Sequence, residues 1–158
     1  MRLLLVLFIA WALGTCRSAP PEVPTDFEWT RWTNAAAGYE MVIPDVYRPN
    51  VEADGKAVFF RWRRTAPLKV YLTDLESAKH RGLWVGEEPT GEVLLAGLPA
   101  TRYDYTHCDG PFCSRMASFV LPRGDRWLAL EFRSEGDLNA VNQRILDSFT
   151  LLPQATGD

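Results

Sequence analysis

Alternation of apolar and polar positions dominates the middle of the chain, the pattern left by strands that lay one face on a core. Val58, Phe60 and Trp62 alternate with Phe59, Arg61 and Arg63, and Leu68, Val70 and Leu72 alternate with Lys69 and Tyr71. The short Thr65-Ala66-Pro67 connection between them predicts an antiparallel hairpin. Further strands are predicted at residues 39–43, 92–95, 101–107, 115–121 and 127–132, with Pro122-Arg123-Gly124-Asp125 turning the chain between the last two. Helical signals are fewer. Thr73 with Glu76 fits a capping box and Gly82 a C-terminal stop, which predicts a helix over residues 74–81. Ser134 and Asp137 are candidate caps for a second helix, in which Leu138, Val141, Ile145 and Phe149 recur at core-facing spacing. A mostly antiparallel sheet covered by helices defines an α+β layered domain.

The chain's beginning has a different character. Met1-Arg2 gives a positive start, and the apolar run from Leu3 to Leu13 has signal-peptide length but is short for a bilayer span. It ends in Leu13-Gly14-Thr15-Cys16, which resembles a bacterial lipobox with Thr15 where Gly, Ala or Ser is usual. Residues 1–15 are therefore expected to be a signal peptide and Cys16 a lipidation site, with cleavage after Gly14 to a secreted protein as the alternative. Pro20, Pro21 and Pro24 make residues 16–26 an extended tether, able to hold a domain roughly 30 Å from a membrane at about 3.1 Å per residue. The domain is expected over residues 27–153, followed by a tail at 154–158. Arg17 after the cysteine, rather than an aspartate, favours the periplasmic face of an outer membrane over inner-membrane retention.

Composition narrows the partners. The 158 residues, 47% hydrophobic and 23% charged, suit one ordinary domain, and a net charge of -3 argues against nucleic acid. Of three cysteines, assigning Cys16 to lipid leaves Cys108 and Cys113 on either side of a turn-forming Asp109-Gly110-Pro111, a disulfide in an oxidising compartment. A thiol-redox site would want closer spacing and a helix start to activate the thiol. Zinc at His107 with the same cysteines lacks a fourth ligand, so neither metal nor cofactor is expected. Hydrolytic chemistry would have to use Asp104 with His107 and a serine, or carboxylate pairs such as Glu87-Glu88 or Asp45 with Glu52; no Gly-x-Ser-x-Gly run is present.

Four stretches carry a family resemblance. Asn34-Ala35-Ala36-Ala37-Gly38-Tyr39-Glu40-Met41-Val42-Ile43-Pro44, then Gly97-Leu98-Pro99-Ala100-Thr101-Arg102, Trp127-Leu128-Ala129-Leu130-Glu131-Phe132 and Arg144-Ile145-Leu146-Asp147-Ser148-Phe149, together resemble the PsbP-like superfamily. The resemblance implies an α/β/α sandwich around an antiparallel sheet. It also implies binding or assembly rather than catalysis, as in bacterial envelope lipoproteins, and therefore an envelope protein as partner. The candidate contact surface is the outward face of the first hairpin, where Arg61 and Arg63 would lie beside Lys69 and Tyr71 with Arg64 at the end. A solvated or helix-covered sheet face with snorkelling arginines is the competing reading. A small-ligand or lipid carrier would instead require an apolar cavity.

Overall fold

The computed structural model describes residues 23–134 and 136–153, the side chain of Asp109 excepted. The expected signal peptide, Cys16 and the tail lie outside the described residues. In chain order the elements are β1 (Trp29–Asn34), β2 (Tyr39–Pro44), β3 (Arg48–Val51), β4 (Ala57–Trp62), β5 (Thr65–Thr73), α1 (Leu75–His80), β6 (Gly91–Leu95), β7 (Leu98–Asp109), β8 (Phe112–Arg123), β9 (Arg126–Arg133), α2 (Ala140–Asp147) and β10 (Thr150–Leu151). The strands form a seven-stranded sheet in the order β3-β4-β5-β9-β8-β7-β6 and a three-stranded sheet in the order β1-β2-β10. Neighbouring strands run antiparallel throughout both.

Central strands are buried on both faces. Leu128, Leu130 and Phe132 of β9 pack with Val58, Phe60, Leu68, Val70 and Phe119 on one side of the large sheet. Against that side lie Tyr39, Met41 and Ile43 of β2, Ile145 and Leu146 of α2, and Phe149 beyond it. Trp32 meets Phe60 edge-on at 5.5 Å between ring centroids, tying the small sheet to the large one. The opposite side carries Ala57, Tyr71, Tyr105, Met116, Val120 and Ala129, roofed by Ala78 of α1 and by Leu83 and Trp84 just after it.

The α+β class and the antiparallel sheet agree with the sequence, but among the described residues the two helical layers of an α/β/α sandwich do not appear. One layer is chiefly the small sheet with α2 beside it; the other is the six-residue α1 and the segment after it. The shortfall has a local cause. Trp29-Thr30-Arg31-Trp32-Thr33-Asn34 forms β1 without alternating in polarity, and Arg48-Pro49-Asn50-Val51 forms β3 with every residue exposed. Pro49 is tolerated because β3 is an edge strand, where a missing N–H can face solvent.

Turns and caps shift by a residue or more from their expected places. Trp62 pairs with Thr65, so Arg63 and Arg64 make the turn of the first hairpin, while Thr65, Ala66 and Pro67 already belong to β5. Arg63 has a positive φ of 54° there, uncommon for a residue with a side chain. Asp74 rather than Thr73 caps α1, its carboxylate accepting from the Ser77 N–H at 2.7 Å and the Ser77 hydroxyl at 2.9 Å. Gly82 ends that helix as expected, with φ 65°; its N–H bonds Lys79 O and the N–H of Leu83 bonds Ala78 O, both at 3.0 Å. This double closure is a Schellman motif, and it turns Leu83 and Trp84 down onto the sheet. Asn139 caps α2 in place of Ser134 or Asp137, while Ser134 donates its hydroxyl to the carbonyls of Gly136 and Asp137.

Candidate functional site

Strands β7 and β8 outrun their neighbours. Pairing with β6 reaches Arg102 and pairing with β9 starts at Met116, so residues 106–115 project as a two-stranded arm. An isolated pair of strands is marginal in water, so such an arm needs a staple. Cys108 and Cys113 face each other directly in its register and form the expected disulfide, with Cα atoms 4.0 Å apart. For a sequence separation of 5, chain-entropy reasoning assigns this crosslink about 2 kcal/mol. Phe112, at the tip, is 78% exposed.

At the root of the arm the α1 side of the sheet changes from apolar to charged. Lys69, Glu131 and Ser118 follow one another across β5, β9 and β8. Glu131 is only 1% exposed and accepts a hydrogen bond from the Tyr105 hydroxyl. Burial raises its carboxyl above the usual range, opposed by that hydrogen bond and by the charges of Lys69 and His107. The Ser118 hydroxyl beside it is buried and has no hydrogen-bond partner among the described residues. Burial and the neighbouring Glu131 also push the Tyr105 and Tyr71 hydroxyls well above the ordinary tyrosine value.

One step further toward the arm lie basic residues. Arg133 pairs with Met116 across β9 and β8, His107 with Ser114 across β7 and β8, and Arg61 with Arg48 across β4 and β3. Strand alternation places Arg48, Arg61 and Arg133 on the same side as Lys69 and Glu131. Two like charges directly opposite in a ladder are unfavourable by a few tenths of a kcal/mol to about 1 kcal/mol. Among the described residues Arg64, Lys69 and Arg133 have no carboxylate within ion-pair distance, the described pairs being Arg31–Glu40, Lys56–Asp54, Arg81–Glu52 and Arg102–Asp104. Between the first hairpin's turn and the arm is a cleft of about 300 Å³ whose lining holds Arg64, Lys69, His107 and Arg133 with Phe112 and Met116. The His107 Nδ1–H donates to Gly82 O at 3.1 Å, tying the arm to the turn after α1.

Of the residues singled out in the sequence, Arg61 is exposed and Lys69 faces the cleft. Arg63 stacks its guanidinium 4.5 Å over Trp62. Tyr71 is elsewhere: it is 4% exposed beneath the α1 layer, edge-on to Phe59. Asp104 and His107 stand three apart on one strand and so point to opposite sides of the sheet, which leaves no dyad. Asp104 instead binds Arg102 at 2.9 Å and Thr90 at 2.6 Å; against the effect of burial, these bonds hold its carboxyl below the usual range. Glu52 is engaged by Arg81, and Asp45 accepts from the Glu28 N–H, so that carboxylate pair does not form either. His107 and Arg133 were missed as members of the basic group, because only the register of β7, β8 and β9 brings them to Lys69.

Comparison with known proteins now adds the fold family. A crystal structure from Bacteroides thetaiotaomicron superposes with a TM-score of 0.54 at 6% identity, covering 78% of this chain and 48% of that one, so the chain spans about half the length of that protein. The solution structure of cyanobacterial PsbP (CyanoP) from Synechocystis sp. PCC 6803 gives 0.50 at 12% identity, covering 88% of this chain and 98% of that chain. LpqN of Mycobacterium tuberculosis, described as involved in cell envelope biogenesis, gives 0.44 at 13% identity over 82% of this chain and 93% of that chain. No family model and no curated protein sequence matches the chain. Identities this low establish the fold alone: the domain has a PsbP-like fold, as the sequence resemblance implied. Among the described residues no helix is long and apolar enough to cross a membrane.

Proposed function

We propose that this chain is a non-catalytic envelope lipoprotein, anchored through Cys16, whose PsbP-like domain binds an acidic protein partner at the arm end of its large sheet. The observation that carries the reading is the concentration there of Arg64, Lys69 and Arg133, which among the described residues have no carboxylate within ion-pair distance, in a chain of net charge -3. Arg48 opposite Arg61 is a stability liability in the free domain, and carboxylates of a partner turn it into attraction. Such a contact weakens with salt, because exposed charges are screened over about 8 Å at physiological ionic strength.

Arg61→Glu tests this cleanly, since it places opposite charges across β3 and β4 and leaves the core untouched. The expected result is that crosslinking in cells, followed by pull-down from solubilised envelope, recovers a partner with wild type and loses it with the variant, while the variant melts at or slightly above the wild-type temperature. Equal recovery with both proteins would contradict the reading. The anchor has its own check. Protein extracted from membranes is expected to carry acyl mass on Cys16, and a mature N-terminus without it would leave the domain secreted rather than tethered.

A further inference from the structure

The cleft at the root of the arm is more specific than a charged surface. Its walls come from the turn at Arg64, the sheet at Lys69, Met116 and Arg133, and the arm at His107 and Phe112. Among the described residues no carboxylate is part of that lining. Glu131, the carboxyl paired with Lys69 across the sheet, is buried and accepts from the Tyr105 hydroxyl, while Lys69 lines the cleft. Phe112 is far too exposed for a core role, and the disulfide one residue away fixes the strand that presents it. Cations gathered around a small volume with an apolar wall recognise a compact anion attached to something apolar.

We infer that this cleft seats one oxyanion, a carboxylate or phosphate group, carried on a short apolar stem that lies along Phe112 and Met116. The inference rests on the proposed reading that this end of the sheet meets anions, and deepens it by naming the group that enters. The oxyanion belongs either to a side chain of the acidic partner or to a small free ligand; both present the same chemistry to Arg64, Lys69 and Arg133. A cleft of about 300 Å³ sits at the small end of ligand sites, enough for one head group and a few carbons.

The test is an amide-shift titration of the folded domain with hexanoate and with butyl phosphate, with hexanol supplying the stem alone and inorganic phosphate the anion alone. Saturable shifts clustered at Lys69, His107 and Ser114 are expected with the two amphiphilic anions and not with hexanol. Arg64→Gln with Arg133→Gln is expected to weaken binding by about tenfold or more, as loss of charge-assisted hydrogen bonds would. Phe112→Ala, at an exposed tip, is expected to weaken the stem-bearing probes and leave the weaker response to inorganic phosphate unchanged. Absence of saturable shifts, or shifts that persist in the double variant, overturns the site. Partner capture that is lost with Arg61→Glu but insensitive to the double variant would also overturn it while sparing the broader reading. Release of a captured partner by hexanoate would assign the oxyanion to the partner; probe binding without release would assign it to a free ligand.

Discussion

Replacing Phe60 with alanine is expected to lower the unfolding free energy by about 3–5 kcal/mol, a large share of what a domain of this size has. Phe60 is completely buried on β4, on the side of the large sheet that faces β2 and α2, and takes the edge of Trp32 from the small sheet. Its removal therefore deletes packing at the seam between the sheets, where neither can collapse inward without breaking its own ladder. Urea unfolding followed by tryptophan fluorescence measures the loss. A cost below about 1 kcal/mol, the range of a substitution at a site that repacks freely, would mean that the seam is not packed as described.

Glu131 gives the second large effect, and its sign depends on pH. Its carboxyl is raised in the folded protein, chiefly by burial, so the folded state holds the proton more tightly than the unfolded chain does. That contribution is fully present below the unfolded carboxyl value and is lost as pH rises through the raised folded value. Wild-type stability is thus expected to decline over that window, while Glu131→Gln, which cannot ionise but can still accept from Tyr105, stays flat. Glu131→Leu leaves the buried Tyr105 hydroxyl without its acceptor and is expected to fall below the glutamine variant by about 1–3 kcal/mol at every pH in that window. Urea midpoints measured across pH separate the three proteins. Parallel pH profiles for wild type and Glu131→Gln would show that the carboxyl titrates as it does in the unfolded chain. Lys69, from β5, and His107, from β7, also act on this carboxyl, and their charges limit the size of the shift.

What the sequence disclosed follows from which interactions are local. The alternation in β4, β5, β7 and β8 showed strands because each residue's polarity reports its own face. β1 and β3 escaped, because Trp29 and Trp32 are spaced by three and Arg48 to Val51 bury nothing. Alternation also does not reveal whether a second face is covered. Tyr71 looked like a surface aromatic beside Lys69, yet α1 and Trp84 cover that part of the sheet. The cysteine pair was legible through spacing and compartment, and its register partner confirms it. The cleft was half legible. Arg61, Arg63, Arg64 and Lys69 are neighbours in sequence, whereas His107 and Arg133 join them only through long-range strand pairing. Glu131 left a faint signal, a lone acid in Trp127-Leu128-Ala129-Leu130-Glu131-Phe132, where both faces of the strand are otherwise apolar.

The central claim is that the arm end of the large sheet is the partner face. The most direct measurement places a photo-reactive amino acid at position 61 in one protein and at position 94 in another, then compares crosslinks formed in cells. Leu94 is 74% exposed on β6, the opposite edge of the same sheet from the β3–β4 side that carries the exposed Arg61, and so serves as an exposed control. A discrete crosslinked band from position 61 that is absent from position 94, and that fades with added salt, is the predicted result. Crosslinks from position 94 alone, or equal bands from both, would contradict the account and move the partner face away from the basic cleft.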